Sequence, residues 1–400
     1  IMIVLGIETS CDETSLSIID EDNTMLSNII VSQHSTHSPH GGIIPELASR
    51  QHILNIESAF EKCLLESNVK VEDLSVIGVT NGPGLIGSLI VGVNFAKGLS
   101  IASGKPLVGV NHLKAHVFAS WIKKDLQANK IYDVPNKFPL MCIIVSGGHT
   151  DLVKLDSDYK FELIGRTRDD AAGEAFDKAA RLLSLGFPGG PEVDKYSSLS
   201  NERFDFPRAF LKGTHDFSFS GMKTAFLNLS MKNKPFNEDK ISKLCNTFQE
   251  AMVEVITNKT ISAAEEHNCM GIVVTGGVAA NSHLREQMKF KSPFPVFIPE
   301  KKLCTDNGAM IAFAASEKLN FENDHSIKVK PISICYSHKN NIKMGLYERR
   351  LVSWVGDTNM VQAMQNFLLT GPVTVTILLH SFVSEEILSS RKTITKYCQE

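Results

Sequence analysis

His112 and His116 stand four residues apart in Asn111-His112-Leu113-Lys114-Ala115-His116, directly after an apolar segment with the character of a strand. In a helix this spacing brings both imidazoles to one face, as in a pair of metal ligands. The alternative is one capping histidine beside one exposed one, and spacing alone does not separate the two. A peptidase built on such a pair needs a glutamate next to the first histidine to activate water. Leu113 stands there and offers no base, which argues against proteolysis. A third ligand has to come from elsewhere. Cys304-Thr305-Asp306-Asn307-Gly308, at an expected strand-to-helix turn, offers an oxygen or a thiolate. Two imidazoles and a carboxylate suit iron, zinc or manganese and leave positions open for a substrate oxygen. Asp306 is equally well placed to be a helix N-cap.

Glycine-rich turns recur at Gly82/Gly84, Gly147/Gly148, Gly189/Gly190 and Gly276/Gly277, each beside an expected strand end. Without a Cβ, such backbone lets N–H groups approach a phosphate, and a helix N-terminus adds a favourable dipole. One such turn is ordinary; several in one chain favour a nucleotide in a cleft. The chain holds neither GxxxxGK[ST] nor a strand-linked GxGxxG, so the P-loop and Rossmann readings lack support. Asp12 and Glu13 are adjacent carboxylates in a tight turn, where one raises the proton affinity of the other and a general base can result; a solvated charged turn is the plainer reading.

These residues need elements to position them. A strand at Ile1 to Ile7, a polar turn at Glu8 to Thr14 and a strand at Ser15 to Asp20 open the chain. A helix from Pro45 to Glu66, a strand from Leu74 to Thr80, a glycine turn, a helix to Ser103 and a strand from Pro106 to Val110 follow. A similar series begins at Leu140: strand to Val145, turn, strand Asp151 to Leu155, and later Gly271 to Val274, a glycine turn and a helix at Asn281. The pattern predicts two related α/β lobes with a cleft between them, residues 1–110 and 111–321. Residues 194–240 read as an insertion. The polar stretch from Glu322 to about Lys343 reads as a linker, and in the extension 322–400 Ser353 to Leu369 is expected as an amphipathic helix and Val373 to Leu379 as a short strand.

At 400 residues, with 43% hydrophobic and 21% charged residues, the chain has material for more than one core and is not a disordered polymer. A net charge of −3 gives no global attraction to phosphate, so a nucleic acid has to be met by local patches or with a partner's help. The eight cysteines form no CxxC pair, which points to a reducing compartment rather than to a disulfide framework or a zinc knuckle. No uninterrupted apolar run approaches about 18 residues, so a soluble protein without a signal peptide or membrane span is expected.

Gly6-Ile7-Glu8-Thr9-Ser10-Cys11-Asp12-Glu13-Thr14, Pro45 to Arg50, Asn111 to His116, Val145-Ser146-Gly147-Gly148-His149-Thr150, Gly173 to Lys178, Asp216 to Gly221, Gly276 to Asn281 and Cys304 to Gly308, in this order, resemble the tRNA N6-adenosine threonylcarbamoyltransferases, formerly called glycoproteases. The resemblance runs from about Met2 to Phe321. It implies a duplicated actin-like, sugar-kinase and chaperone-ATPase fold. It implies transfer of threonylcarbamoyl from threonylcarbamoyl-AMP to N6 of the adenosine at tRNA position 37. It assigns His112, His116 and Asp306 to one divalent metal, iron(II) first, with zinc and manganese as alternatives. Ile144, Val145, Ser146, Gly147, Gly148, Asp177, Gly190, Asp194 and Asn281 fall to the donor. Asp12 or Glu13 is then the expected proton acceptor. The implied partners are tRNA, a small actin-like paralogue and an ATPase, without a membrane; a cytoplasmic location is expected, with a mitochondrial homologue as the alternative. An ATPase or kinase of the same fold needs no histidine pair, and a non-catalytic scaffold paralogue is expected to lack the histidines and the aspartate. The extension 322–400 matches nothing in that family.

Overall fold

The computed structural model describes residues 2–322 and, beyond them, the strands 332–339, 342–343 and 373–379. Residues 1–320 form one compact unit and 321–400 another.

The first unit opens with β1 (Ile3–Glu8), β2 (Glu13–Asp20) and β3 (Thr24–Ser32), then α1 (His34–His37), α2 (Pro45–Ser67), β4 (Val76–Gly82), α3 (Ile86–Ser103), β5 (Leu107–Asn111), α4 (His112–Phe118), β6 (Lys124–Asp125) and β7 (Lys130–Ile131). It continues with β8 (Leu140–Val145), β9 (Thr150–Leu155), β10 (Phe161–Arg166), α5 (Ala172–Leu182), α6 (Gly189–Ser197), α7 (Ser220–Lys232), α8 (Glu238–Glu266), β11 (Gly271–Thr275), α9 (Ser282–Lys291), β12 (Val296–Phe297), α10 (Lys301–Cys304) and α11 (Gly308–Glu322).

Two mixed sheets result, ordered β5-β4-β1-β2-β3-β6-β7 and β10-β9-β8-β11-β12. In each, three antiparallel strands in succession are followed by two parallel ones on the far side of the first. The order β3-β2-β1-β4-β5 thus repeats as β10-β9-β8-β11-β12, the duplication expected from the sequence. The parallel strands are buried along nearly their whole length (Ile-Val-Val in β11, Val-Ile-Gly-Val in β4), because helices cover both faces.

The first sheet reaches past residue 110. Thr24 and Met25 of β3 pair with Lys124 and Asp125, so a segment the sequence assigned to the second lobe adds two short strands to the first. The C-terminal helix also returns to the first sheet. A Cβ on Gly6 would lie 2.1 Å from the Gly308 carbonyl oxygen, and one on Gly308 2.4 Å from Ser17 N. Only glycine at both positions lets the start of α11 sit directly on β1 and β2. Gly308 N–H donates to Ser15 Oγ at 2.9 Å, fixing that approach.

A core of Phe176, Phe217, Phe219, Phe226 and Phe248 lies under α5, α7 and α8, and Phe118, Trp121 and Phe313 join a second core beside α4 and α11. Each such buried aromatic contributes on the order of 1.5–3 kcal/mol. α3 is long and apolar enough to cross a membrane by length and composition. Here its small residues Ser88, Gly92 and Ala96 face the protein, and Ile86, Ile90 and Ile101 are exposed.

In the second unit β13 (Ile332–Lys339), β14 (Ile342–Lys343) and β15 (Val373–Leu379) form an antiparallel sheet ordered β14-β13-β15. β15 has the expected bounds. The polar linker expected over 322–343 instead contains β13, whose Ile332, Ile334 and Tyr336 alternate with Ser333 and Cys335, the period of a strand. The helix expected from Ser353 to Leu369 lies outside the described residues.

Candidate active site

β5 ends at Asn111, whose Oδ1 accepts the backbone N–H of Lys114 at 3.1 Å and caps α4. The asparagine therefore does the capping, and both histidines are free for another role. They are 9% and 1% exposed, with ring centroids 4.6 Å apart and planes at 79°. A parallel division of labour holds at the other end of the site. Asn307 Oδ1 accepts Met310 N–H at 3.0 Å and caps α11, so Asp306 does not. The turn carrying Asp306 joins α10 to α11, and so is helix-to-helix rather than strand-to-helix; β12 is only two residues long and a turn of helix intervenes.

Asp306 Oδ1 lies 3.1 Å from His116 Nε2 and 3.6 Å from His112 Nε2. Ligand atoms bound tetrahedrally at about 2.0–2.1 Å are separated by roughly 3.3 Å, so these spacings fit one small divalent ion. Both ring nitrogens of His116 are buried without a hydrogen bond of sound geometry, which in a satisfied core would be costly. The three residues therefore fit the metal that the resemblance implies. Cys304, the thiolate alternative, does not compete: its Sγ donates to the Pro299 carbonyl at 3.4 Å, and burial pushes its pKa to about 11.

Behind His112 stands Glu8, the last residue of β1, with no solvent exposure. Its Oε2 is 3.0 Å from His112 Nδ1 and 2.5 Å from Thr80 Oγ1, and its Oε1 accepts the Ser10 N–H. With an ion held at Nε2, Nδ1 would carry the ring's one proton and donate it to Glu8. Burial opposes an imidazolium at His112, but Asp306 and Glu8 outweigh it and raise the pKa to about 9. Burial likewise opposes ionisation of Asp306, yet the fields of His112 and His116 hold it at about 2. Glu8 was not among the residues singled out by sequence. The available signal was a charge closing an otherwise apolar strand.

Asp12 lies in the turn from β1 to β2 and Glu13 opens β2, within the field of Asp306. Burial first, then Asp306 and Asp12, push the Glu13 carboxyl well above its ordinary range. Two helices brace this turn. His52 of α2 bonds Thr14 Oγ1 at 2.7 Å and the Cys11 carbonyl at 3.0 Å, and Ser88 Oγ of α3 donates to the same carbonyl at 3.3 Å.

The second lobe contributes a cradle at the ends of β8 and β11. Ile144 and Val145 are buried strand residues; Ser146 closes the next turn, its N–H donating to the His149 carbonyl at 2.9 Å and its Oγ accepting His149 N–H at 3.1 Å. Gly147 and Gly148 face open space. Gly276 has φ +90°, and a Cβ there would meet the Val145 carbonyl oxygen at 2.4 Å, so glycine alone lets this turn lie against the end of β8. Asp177 Oδ1 accepts Gly189 N–H at 2.7 Å, next to Gly190 at the start of α6. Asp194 Oδ2 accepts Ser282 N–H at 3.0 Å, and Asn281 caps α9 through Leu284 N–H at 2.9 Å while donating to Gln249 Oε1 at 2.7 Å. Thr275 Oγ1 donates to the His116 carbonyl at 2.6 Å and ties the cradle to the histidine helix. His149, also missed by sequence, has its pKa lowered, by burial first and further by both metal-site histidines. The glycine turn Gly82/Gly84 does not join this group; Gly84 packs instead on Ser10 of the first lobe.

The profile of the family described as tRNA N6-adenosine threonylcarbamoyltransferase matches residues 24–313. The chain belongs to this family. Relatives bearing that name include those of Dehalococcoides mccartyi, 49% identical over 311 residues (78% of this chain, 92% of the relative), and Thermosipho africanus, 45% over 340 residues (82% and 99%). Among solved structures, full-length HypF in its phosphate- and nucleotide-bound form is similar in fold, with TM-score 0.52 at 15% identity over 81% of this chain and 56% of that one. HypF of T. kodakarensis gives TM-score 0.52 at 12% identity over 80% and 48%. The threonylcarbamoyltransferase family and these folds agree with the actin-like duplication seen in the two sheets.

Proposed function

We infer that this site transfers a threonylcarbamoyl group to the N6 amine of the adenosine at position 37 of tRNA. The observation that carries the reading is the convergence of His112, His116 and Asp306 beside the Ser146–Gly148 turn, in a chain of this family. Neither a kinase nor a scaffold needs that triad.

The N6 lone pair of adenine is delocalised into the ring and attacks only an activated acyl group. Threonylcarbamoyl-AMP, a mixed carbamoyl–phosphoryl anhydride, is such a donor. The backbone N–H groups of Gly147 and Gly148 and the start of α6 at Gly190 are suited to its phosphate. Asp177, Asp194 and Asn281 hold the glycine turns that surround it and face the nucleoside. A divalent ion on His112, His116 and Asp306, with iron(II) the first candidate, supplies positive charge for the donor oxygens. Attack forms the N6–C bond, the bond from carbonyl carbon to phosphate oxygen breaks, and AMP leaves. The proton lost from N6 goes to Glu13 or Asp12; the raised proton affinity of Glu13 suits it to accept.

The apolar residues Ile53 and Leu54 of α2 and Ile86 and Ile90 of α3 are all more than half exposed, and Gly87 packs on Ser49 where the two helices meet. This face is suited to the small actin-like paralogue, with the ATPase partner joining the assembly. The described cysteines are all free and mostly buried, in keeping with a cytoplasmic location.

The test is a reaction of the purified chain, the two partners, a tRNA transcript and threonylcarbamoyl-AMP, followed by nucleoside mass spectrometry. Modified adenosine is expected with the wild type. In a second reaction, ATP consumption by the chain alone, with no modified nucleoside formed in the complete reaction, would instead favour the kinase reading.

A further inference from the structure

We propose a second divalent-metal site, for zinc(II), formed by His215, Glu266 and His267. It stands apart from the catalytic triad in the topology: α8 ends at Glu266 and leads into the start of β11, whereas the glycine cradle lies at the other end of that strand. One ligand atom from each of the three residues lies within 4.8 Å of the others. His215 Nε2 is 2.8 Å from Glu266 Oε2, and the His215 and His267 rings are 6.0 Å apart at 58°. That separation is long for ring stacking but brings two imidazoles to one side of a shared carboxylate. A tetrahedral zinc site needs ligand atoms roughly 3.3 Å apart. The His–Glu pair is already inside that spacing, and a His267 ring nitrogen lies within 4.8 Å of both.

The site is also held in advance. His215 belongs to the segment Leu211–His215, which forms one wall of a cavity of about 520 Å³ against α8. Lys259, about two turns before Glu266 on α8, donates from Nζ to the carbonyls of Leu211 (3.1 Å) and Thr214 (2.8 Å). On the far side of Gly165, which admits no Cβ because the His215 carbonyl oxygen would lie 2.5 Å away, β10 pins the same segment. His215 is thus carried on backbone fixed from two directions, while Glu266 and His267 follow each other at the helix end. The end of α8 thus places the third donor, His267, directly beside the His215–Glu266 pair. Three protein ligands with the remaining position open to water match zinc, whose borderline character suits imidazole and carboxylate together. Bound there, the ion fastens the segment before Asp216 to α8.

The experiment is a zinc(II) titration of the full chain against a chromophoric chelator, with thermal melts in parallel. In the H112A/H116A variant one equivalent of zinc is expected to remain, and zinc is expected to raise the melting temperature. Adding H215A or H267A to that variant is expected to weaken the remaining equivalent at least about 10-fold, the low end of what even an outer-shell loss costs, and to abolish the thermal shift. E266Q is expected to weaken it in the same direction. If H112A/H116A folds poorly, the wild type is read instead, falling from two equivalents to one with H215A. A wild type that takes a single equivalent, or a second equivalent untouched by H215A and H267A, overturns the proposal.

Discussion

Glu8 Oε2 and His112 Nδ1 lie 3.0 Å apart in the buried floor of the site, one at the end of β1 and the other at the first turn of α4. The contact joins two elements more than a hundred residues apart and sets which nitrogen of His112 faces Asp306. Glu8→Gln keeps an acceptor for that N–H but removes the charge. Metal affinity is expected to fall about 10–100-fold, with some loss of melting temperature because the amide NH2 cannot accept from the donors on its side. Titration of cobalt(II), read by its visible absorption, checks this; unchanged affinity in a folded Glu8→Gln protein would remove Glu8 from the metal site.

Asp12 and Glu13 are assigned the proton of the attacking amine. Changing both to alanine is expected to lower the single-turnover rate by about 10²–10⁴-fold, with bound metal and circular dichroism unchanged. A rate within a factor of two of wild type would mean that neither carboxylate is the acceptor.

Asp169 anchors the Asp216-to-Gly221 segment: its Oδ1 accepts Phe219 N–H at 2.7 Å and its Oδ2 accepts Ser220 Oγ at 2.7 Å. Partial burial works against ionisation, but bonds from Ser218, Phe219 and Ser220 prevail and lower its pKa below 3.8. A depressed carboxyl pKa stabilises the fold above its unfolded value and loses that contribution as pH falls through the folded value. Asp169→Asn should therefore be less stable than wild type at neutral pH, with the difference shrinking below about pH 4. Urea unfolding across that range reads it, and a gap that widens in acid would contradict the assignment.

Ile90, 53% exposed on α3, lies on the face proposed for the small paralogue. Ile90→Glu is expected to leave the isolated chain folded and to abolish its co-elution with that paralogue in size-exclusion chromatography. Retained co-elution would move the interface elsewhere.

The strands, the duplication and the histidine helix were legible because their signals are local: an apolar run closed by glycine, or a pair at i and i+4. The roles of Asp306 and His112 were not, because capping is decided by the neighbour. Asn111 and Asn307 take the caps, and no spacing rule says which of two adjacent candidates will. β3 was not legible because a serine, Ser27, lies on its buried face between Met25 and Ile29, while the apolar Leu26 and Ile30 lie on the less buried one. α8 is buried nearly all round, with Asn246, Thr247, Gln249, Thr257 and Lys259 among its buried residues, so it carries no clean apolar stripe to read. Glu8 was hidden for a related reason: a buried charge is intelligible only once its partners, Thr80 and His112, are brought to it by the fold.

The central claim is that the metal ion needed for threonylcarbamoyl transfer is held by His112, His116 and Asp306. Nucleoside mass spectrometry of tRNA tests it, in a strain lacking its own enzyme and complemented with this chain or with H112A, H116A or D306A. The account predicts N6-threonylcarbamoyladenosine with the intact chain and none above background with any of the three variants present at equal abundance. Full modification by any one of the three variants would contradict it.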